Sequence, residues 1–261
     1  MSILQLKDST LYYEVTSKGQ PLVFIHGLGS STRDWEYQTS EFSQQYQTIT
    51  FDLRGHGQSG KPAGPYSMPL FAADLADLLQ ALDVRSAHIV GISLGGAVAF
   101  QFALDHPGLV KSLTIVNSAP SLGGTPEQAA LEIDRRVGIV QQFGMRAMGG
   151  SLSPALFPKP EHANLRDTFV SRWAENDPVA YIEATRSMLN WNVTDQLGSI
   201  SAPTLILASD QDYSPVAVKE AYCKLLPNAQ LVVIADAHHA VPLEQPEAFN
   251  DALMQFLSHH A

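Results

Sequence analysis

The chain has 261 residues, of which 45% are apolar and 16% are charged, and its formal net charge is −10. This composition is that of a folded globular protein, and the acidic balance disfavours nucleic acid and anionic membrane surfaces as partners, since both attract basic protein surfaces. Cys223 is the single cysteine, which excludes an intramolecular disulfide and a zinc site built from several thiolates.

The N-terminal residues do not combine the basic and apolar regions of a signal peptide. No apolar run approaches the roughly 18 residues that a membrane span requires. We therefore expect a cytoplasmic protein without a membrane span. Length alone permits one or two domains, so the pattern along the chain must decide between them.

Seven short runs rich in β-branched residues, each bounded by Gly, Pro or Asp, predict strands. They lie at residues 11–15, 22–25, 48–51, 87–90, 113–116, 204–208 and 231–234. The central runs are continuously apolar, which is typical of parallel strands covered on both faces. The first run is mixed in character, which is compatible with an edge position.

Helical patterns alternate with these strands. Residues 71–82 carry apolar side chains at amphipathic spacing, and residues 94–104 are small and apolar nearly all round. Residues 218–226 and 248–257 complete the series. Strands that alternate with helices predict an α/β fold with a mostly parallel central sheet flanked by helices.

Residues 120–198 interrupt this alternation. They contain no convincing strand, they are rich in Met, Gln, Arg and Trp, and prolines separate helical pieces at residues 128–143 and 180–189. A structureless loop of this length is improbable in a compact domain. We predict a helical subdomain at 120–198, inserted into a core domain formed by residues 1–119 and 199–261.

The strongest local motif is Gly91-Ile-Ser-Leu-Gly95, between an apolar strand and a helix. This G-x-S-x-G context predicts a sharp turn in which Gly91 and Gly95 leave room for a strained serine backbone. Ser93 is the candidate nucleophile, at the carboxyl end of the strand and beside the positive end of a helix dipole. A glycine-rich turn that only joins strand to helix is the alternative, which the flanking pattern disfavours.

An acyl-transfer site also needs donors for a developing oxyanion. One candidate is the backbone N–H of Leu94, directly after Ser93. The second is the backbone N–H of Leu28 in His26-Gly-Leu-Gly29, where the glycines let the chain turn. His26 itself is expected to brace this turn.

His238 and His239 follow the last predicted strand and precede the last helix, which places them at the same sheet edge as Ser93. Adjacent loop residues usually point apart, so only one of them can be the base, and spacing alone does not choose between them. Three other histidines near the predicted motifs are expected to be structural: His56, His88 and His106.

A serine–histidine pair needs a carboxylate to orient the imidazole. Asp210 and Asp212 follow the strand at residues 204–208, which gives the chain order Ser, Asp, His. An exposed turn aspartate is the alternative for either residue. Asp236 lies nearer to the histidines but precedes their loop, so it is expected to form a turn or to be a runner-up for the acid.

Together these motifs resemble the α/β-hydrolase superfamily over nearly the whole chain outside residues 120–198. The resemblance rests on five segments: His26–Gly29, Asp52-Leu-Arg-Gly-His-Gly-Gln-Ser59, Gly91–Gly96, Asp210–Asp212 and His239-Ala-Val-Pro-Leu-Glu-Gln-Pro246.

The resemblance implies that Asp212, three residues past the small residue Ser209, is the acid. It also implies that His239, five residues before Glu244, is the base, with His238 as a minor alternative where a glycine is more typical. A helical cap over the acyl site is implied as well. Haloalkane dehalogenases and epoxide hydrolases carry an aspartate in place of Ser93, so those activities are disfavoured.

The expected function is hydrolysis of a small-molecule carboxylic ester through an acyl-enzyme, with no cofactor and no metal. Because the base must be neutral, activity should fall in acid. Apolar residues are candidates for the substrate pocket: Trp35, Phe143, Met145, Met148, Trp173, Met188 and Trp191. An inward-pointing arginine of the predicted cap would anchor a substrate carboxylate and favour a lactone or carbon–carbon substrate; the candidates are Arg135, Arg136, Arg146, Arg166, Arg172 and Arg186.

Two alternatives remain open. Asn117-Ser-Ala-Pro120 is similar to a segment of enol-lactonases that act on 3-oxoadipate lactone, so a lactonase or a hydrolase of carbon–carbon bonds is the first. A ligand-binding receptor on a hydrolase fold is the second. The sequence assigns no oligomeric state.

Overall fold

An eight-stranded sheet forms the centre of the protein in the computed structural model, which describes residues 2–260. The strands are β1 (Ser2–Gln5), β2 (Thr10–Thr16), β3 (Gln20–Ile25), β4 (Tyr46–Phe51), β5 (Ala87–Ile92), β6 (Val110–Val116), β7 (Thr204–Ser209) and β8 (Ala229–Ile234). Their order is β1-β2-β4-β3-β5-β6-β7-β8. β2 pairs antiparallel with β1 and β4, and the pairs from β4 to β8 are parallel.

The seven predicted strands are present, and the mostly parallel sheet confirms the predicted fold class. The strand predicted first is β2, which lies second from the edge because β1 covers it. β1 was not predicted. Its four residues, Ser-Ile-Leu-Gln, are mostly exposed, so they carry no burial pattern that sequence reading could detect.

Helices cover both faces of the sheet. They are α1 (Glu36–Phe42), α2 (Met68–Ala81), α3 (Leu94–Asp105), α4 (Pro126–Leu156), α5 (Ala163–Trp173), α6 (Pro178–Leu189), α7 (Val216–Cys223), α8 (Val241–Glu244) and α9 (Pro246–Ser258). Alternate residues of β3 pack into the two separate hydrophobic clusters on opposite faces of the sheet. Val23 and Ile25 pack in the cluster that contains α2 and α3, whereas Leu22 and Phe24 pack with α1 and α9. The central strands are therefore buried on both faces, as their continuous apolar runs predicted.

Residues 120–198, called the helical insertion below, lie between β6 and β7 and contain α4, α5 and α6. A single β-bridge between Ser121 and Asn192 brings the two ends of the segment together. A capping box of Thr125 and Gln128 starts α4. Gly144 breaks this helix with φ 80° and ψ 178°, so α4 is two helical arms joined at a kink.

None of the helices within residues 2–260 combines the length and the apolarity that a bilayer crossing requires.

Candidate active site

Ser93 lies in the turn between β5 and α3, with φ 55° and ψ −120°. This left-handed backbone conformation is unusual for a residue with a side chain and costs on the order of 1–3 kcal/mol. The surrounding glycines make the turn possible. A Cβ on Gly91 would lie 2.1 Å from the carbonyl oxygen of Gly95, and a Cβ on Gly95 would lie 2.1 Å from that of Ile25. The turn therefore presents Ser93 at the carboxyl end of a central strand.

Two backbone amides flank this serine. Leu94 is the first residue of α3, and Leu28 lies in the 26–29 loop, where a Cβ on Gly27 would approach the Cβ of Ser93 to 3.5 Å. Among the hydrogen bonds formed by residues 2–260, neither the Leu28 nor the Leu94 amide donates to a protein acceptor. Two free N–H groups beside one hydroxyl are the arrangement that an oxyanion site needs.

Asp212 and His239 meet at the same sheet edge. Asp212 lies three residues after β7, and its Oδ1 is 2.8 Å from Nδ1 of His239. Both residues are buried. Burial by itself raises the pKa of Asp212, but the hydrogen bond and charge of His239, together with Lys219, outweigh burial and lower it. The carboxylate is thus held ionised beside the imidazole.

Lys219 is a member of this cluster that sequence reading missed. It lies on α7 with no exposed surface, its Nζ is 2.5 Å from Oδ2 of Asp212, and it donates to the carbonyl of Ser214. The Asp212 carboxylate therefore bridges a histidine and a lysine. The one sequence signal for the burial of Lys219 was its spacing, because a residue three positions before the apolar Tyr222 lies on the same face of the helix.

Tyr213 was also missed, and it stands between the serine and the histidine. Its Oη is 2.8 Å from Nε2 of His239, and the two rings stack with centroids 4.2 Å apart. Tyr213 lines the cavity, and 64% of its surface is accessible. Desolvation raises the phenol pKa, and the adjacent Ser93 side chain lowers it. In the described part of the chain, no hydrogen bond joins Ser93 to His239, because Tyr213 occupies that nitrogen.

The other residues considered as acid or base have structural contacts. His238 turns away from its neighbour, and its backbone N and its Nδ1 lie 2.6 and 2.7 Å from the Glu244 carboxylate. Asp210 accepts a hydrogen bond from the Ala237 amide. Asp236 pairs with Lys159 at 2.7 Å. These contacts leave Asp212 and His239 as the carboxylate and imidazole that face each other.

Asn117, part of the segment with lactonase similarity, holds the loop that carries His239. Its Nδ2 donates to the His239 carbonyl at 3.0 Å and to Oγ of Ser209 at 2.8 Å, and its Oδ1 accepts from the Ser209 amide at 2.9 Å. The following Ser118 donates to the Ser93 carbonyl at 2.7 Å. This segment therefore ties β6 to the site by polar contacts and does not line the cavity beside Ser93.

A cavity of about 140 Å³ opens beside Ser93 and His239. The helical insertion supplies much of its wall: Arg136, Leu152, Ala155, Leu156, Phe169, Trp173 and Met188. Most of these side chains are apolar. Arg136 is the exception, with its Nε 2.6 Å from Glu132 and its Nη1 3.3 Å from Oη of Tyr181.

Of the seven residues considered for the substrate pocket, Trp35, Trp173 and Met188 line this cavity, whereas Phe143, Met145, Met148 and Trp191 do not. Phe143 is 69% exposed, and Met145 and Met148 are buried in the core. Trp191 donates from its indole to Oε1 of Gln101, next to α3. Within α4 the cavity is lined by Arg136 before the break at Gly144 and by Leu152, Ala155 and Leu156 beyond it.

Two buried histidines brace the loops around the site. His26 accepts a hydrogen bond from the Leu53 amide at Nε2, so its Nδ1 carries the proton and donates to the Gly27 carbonyl at 2.7 Å. Burial lowers the pKa of His26 to about 4. Burial, and next the neighbouring His26 ring, lower the pKa of His56 to about 3. Both rings are therefore neutral in the folded protein at neutral pH.

We expect these histidines to make the fold sensitive to acid. Because their folded-state pKa values lie below the unfolded value near 6.5, their stabilising contribution is complete above about pH 6.5 and is lost as pH falls toward 4. For each of the two histidines, the free energy of unfolding should fall by about 2 kcal/mol as the pH is lowered from 7 to 5. Urea unfolding at the two pH values measures this loss.

In this experiment His26→Gln should show a smaller loss between pH 7 and pH 5 than the wild type. The exposed His259 offers a matched control, and His259→Gln should behave as the wild type does. Equal losses in wild type and His26→Gln would contradict the assignment of the acid sensitivity to His26.

The sheet order, the strained serine after β5 and the carboxylate–imidazole pair after β7 and β8 define an α/β hydrolase. The chain belongs to the family described as the alpha/beta hydrolase fold, whose model matches residues 20–246. The expected resemblance is thereby confirmed.

Relatives with different printed activities resemble the chain. The putative carbamate hydrolase RutD of Azorhizobium caulinodans is 29% identical and the alignment covers 95% of each chain. The 3-oxoadipate enol-lactonase 2 of Acinetobacter baylyi is 28% identical over 96% of this chain and 94% of its own. A structure of a thermophilic esterase from Thermogutta terrifontis, with malate bound, is 29% identical, covers 97% and 95% of the two chains, and superposes with a TM-score of 0.90.

Proposed function

We propose that the protein is a serine hydrolase that cleaves carboxylic esters through an acyl-enzyme. The observation that carries this proposal is the convergence of a strained serine, a buried carboxylate–imidazole pair and two unpaired amides at one end of the sheet. The esterase among the similar structures supports the same reaction class.

In the proposed mechanism Ser93 attacks the ester carbonyl while Nε2 of His239 accepts its proton. Asp212 fixes the imidazole tautomer through Nδ1 and stabilises the imidazolium. The amides of Leu28 and Leu94 bind the oxyanion, each contributing about 3 kcal/mol. The imidazolium then protonates the leaving alcohol, and water, activated by His239, hydrolyses the acyl-enzyme. Tyr213 must leave Nε2 before the serine proton can transfer.

We further propose that the helical insertion acts as a cap over this site. The C-terminal end of α5 and the residues after it contact the segment that follows β3 through several polar contacts, of which three are the shortest. Arg172 pairs with Asp34 at 2.8 Å, Arg33 pairs with Glu175 at 2.7 Å, and Asn176 donates to the Gly29 carbonyl at 2.8 Å. Because α4 and α5 also supply apolar wall residues, the cap would favour a small or medium apolar acyl group.

A lactone or an ester that carries a carboxylate is the second candidate substrate. Arg136 favours it, because this residue carries a positive charge in the wall of the otherwise largely apolar cavity that contains Ser93. Glu132 balances only part of the local positive charge, since it pairs with both Arg135 and Arg136. The enol-lactonase relative is consistent with this candidate. The complete set of Ser93, Asp212 and His239 weighs against a receptor without hydrolytic activity.

The proposed function is tested by initial rates on p-nitrophenyl esters of increasing acyl length. Wild type should turn over short and medium esters, and Ser93→Ala should be slower by about a thousandfold or more. The exposed Ser151 provides a control, so Ser151→Ala should keep the wild-type rate. Equal rates for wild type and Ser93→Ala would overturn the proposal.

Monomethyl and dimethyl adipate, added to this panel, distinguish the two candidate substrate classes. Faster hydrolysis of the neutral diester supports the apolar pocket. A preference for the anionic monoester supports the role of Arg136 as a carboxylate anchor.

A further inference from the structure

A lysine without solvent access lies directly behind the proposed catalytic pair. Lys219 is fully buried, its Nζ is 2.5 Å from Oδ2 of Asp212, and a further hydrogen bond goes to the Ser214 carbonyl. Lysine is almost never fully buried unless it is paired, because the ammonium group loses its hydration. Simple helix packing does not require a charge here, so the position calls for a reason connected with Asp212.

We propose that Lys219 is a positioning residue for the reaction described above, which orients the Asp212 carboxylate and extends the activity of the His239 base toward lower pH. This inference rests on the proposed function.

The orienting role follows from the hydrogen bonds of the carboxylate. Oδ1 of Asp212 faces His239 at 2.8 Å, and Oδ2 faces Lys219, so each oxygen has one charged or polar partner on opposite sides. Lys219 also holds the Ser214 carbonyl, which fixes the short loop that carries Asp212 and Tyr213. Without the lysine, Oδ2 would lose its ion-pair partner and the carboxylate could rotate away from Nδ1.

The pH effect follows from charge balance. A carboxylate with no other partner strongly favours an adjacent imidazolium. When an ammonium group already balances that carboxylate, protonation of His239 adds a second positive charge to a buried cluster and becomes less favourable. Lys219 should therefore move the acid limb of the activity profile toward lower pH. Because only the Asp212 carboxylate separates the charges of Lys219 and His239, we expect the acid limb of the activity profile to shift by about one pH unit.

The other titratable groups near Lys219 do not account for the expected pH effect. They either keep one charge state between pH 5 and pH 9 or are present unchanged in all the variants compared. Burial raises the pKa values of Tyr213 and Tyr222, so both phenols stay neutral. The pKa of Asp210 is lowered despite the opposing effect of desolvation, because amides of its own loop donate to it. His238 and Glu244 bind each other on the far side of the loop.

The test compares kcat/KM for a p-nitrophenyl ester from pH 5 to pH 9 in wild type, Lys219→Met and Lys224→Met. Methionine keeps the unbranched stem of lysine and removes the charge. Lys219→Met should lower the plateau by about tenfold and raise the midpoint of the acid limb by about one pH unit. Lys224 is exposed at the end of the same helix, so Lys224→Met should match the wild type in both respects. Lys219→Gln, which retains a donor, is the second variant should Lys219→Met fold poorly.

A double-mutant cycle with Asp212→Asn shows whether the lysine acts through the carboxylate. Lys219→Met should change the rate by less than about twofold when Asp212 is already asparagine. A lower plateau with an unmoved acid limb, or losses that multiply in the double variant, would overturn the proposal. Its failure is distinct from failure of the proposed function, in which wild type and Ser93→Ala would hydrolyse the esters equally well.

Discussion

His239→Gln is expected to lower kcat/KM for a p-nitrophenyl ester by about three to five orders of magnitude, whereas His238→Gln stays within about threefold of wild type. Nε2 of His239 faces the cavity that contains Ser93, and its Nδ1 bonds Asp212, so no other imidazole can accept the serine proton from this position. Glutamine occupies a similar space but cannot act as a base. Steady-state kinetics of the two variants, side by side, measure the difference.

The adjacent histidine makes this a stringent comparison. His238→Gln removes an imidazole from the same loop, and the glutamine amide can still donate to Glu244, as the Nδ1 of His238 does now. Circular dichroism should show both variants folded. Loss of activity in His238→Gln with activity retained in His239→Gln would reverse the assignment of the base.

The second large effect is expected on folding. Gly95→Ala should lower the free energy of unfolding by about 3–5 kcal/mol or prevent recovery of folded protein. Its Cβ would lie 2.1 Å from the Ile25 carbonyl oxygen and 2.6 Å from that of His26. Both contacts are with backbone at the end of a central strand, so relief requires separation of α3 from β3. Urea unfolding monitored by tryptophan fluorescence gives the change.

A helical glycine without neighbours supplies the matched control. A Cβ on Gly138 of α4 would meet nothing within 4 Å, so Gly138→Ala should stabilise the protein by about 1 kcal/mol through helix propensity alone. If Gly95→Ala had the same unfolding midpoint as the wild type, the expected steric conflict between its Cβ and the backbone after β3 would be contradicted.

The parts of this structure that sequence reading anticipated are those with a local physical signature. Continuous apolar runs mark strands buried on both faces, and Gly91 and Gly95 mark the sharp turn around Ser93 because only glycine fits there. β1 lacks such a signature, since its side chains are largely exposed. The choice between His238 and His239 needed the resemblance, because it depends on which partner each ring meets.

What the sequence did not reveal depends on contacts between distant elements. Part of the cavity wall comes from α4 beyond the break at Gly144, where the periodicity of the preceding arm no longer predicts which side chains face inward. The burial of Lys219 was not predictable from the sequence for a different reason. A lysine in a short amphipathic helix is ordinarily on the solvent side, and only the approach of Asp212 from the β7 loop makes its burial favourable.

The contacts between the helical insertion and the segment after β3 bear on how this scaffold can be re-engineered. Arg172, Glu175 and Asn176 meet partners on the same stretch of chain that carries the Leu28 amide. An insertion grafted from a relative would bring new pocket walls but not these partners. Under the proposed mechanism, replacing the insertion would change both the acyl preference and the alignment of the Leu28 amide, so a chimera should transplant residues 29–36 along with the helices.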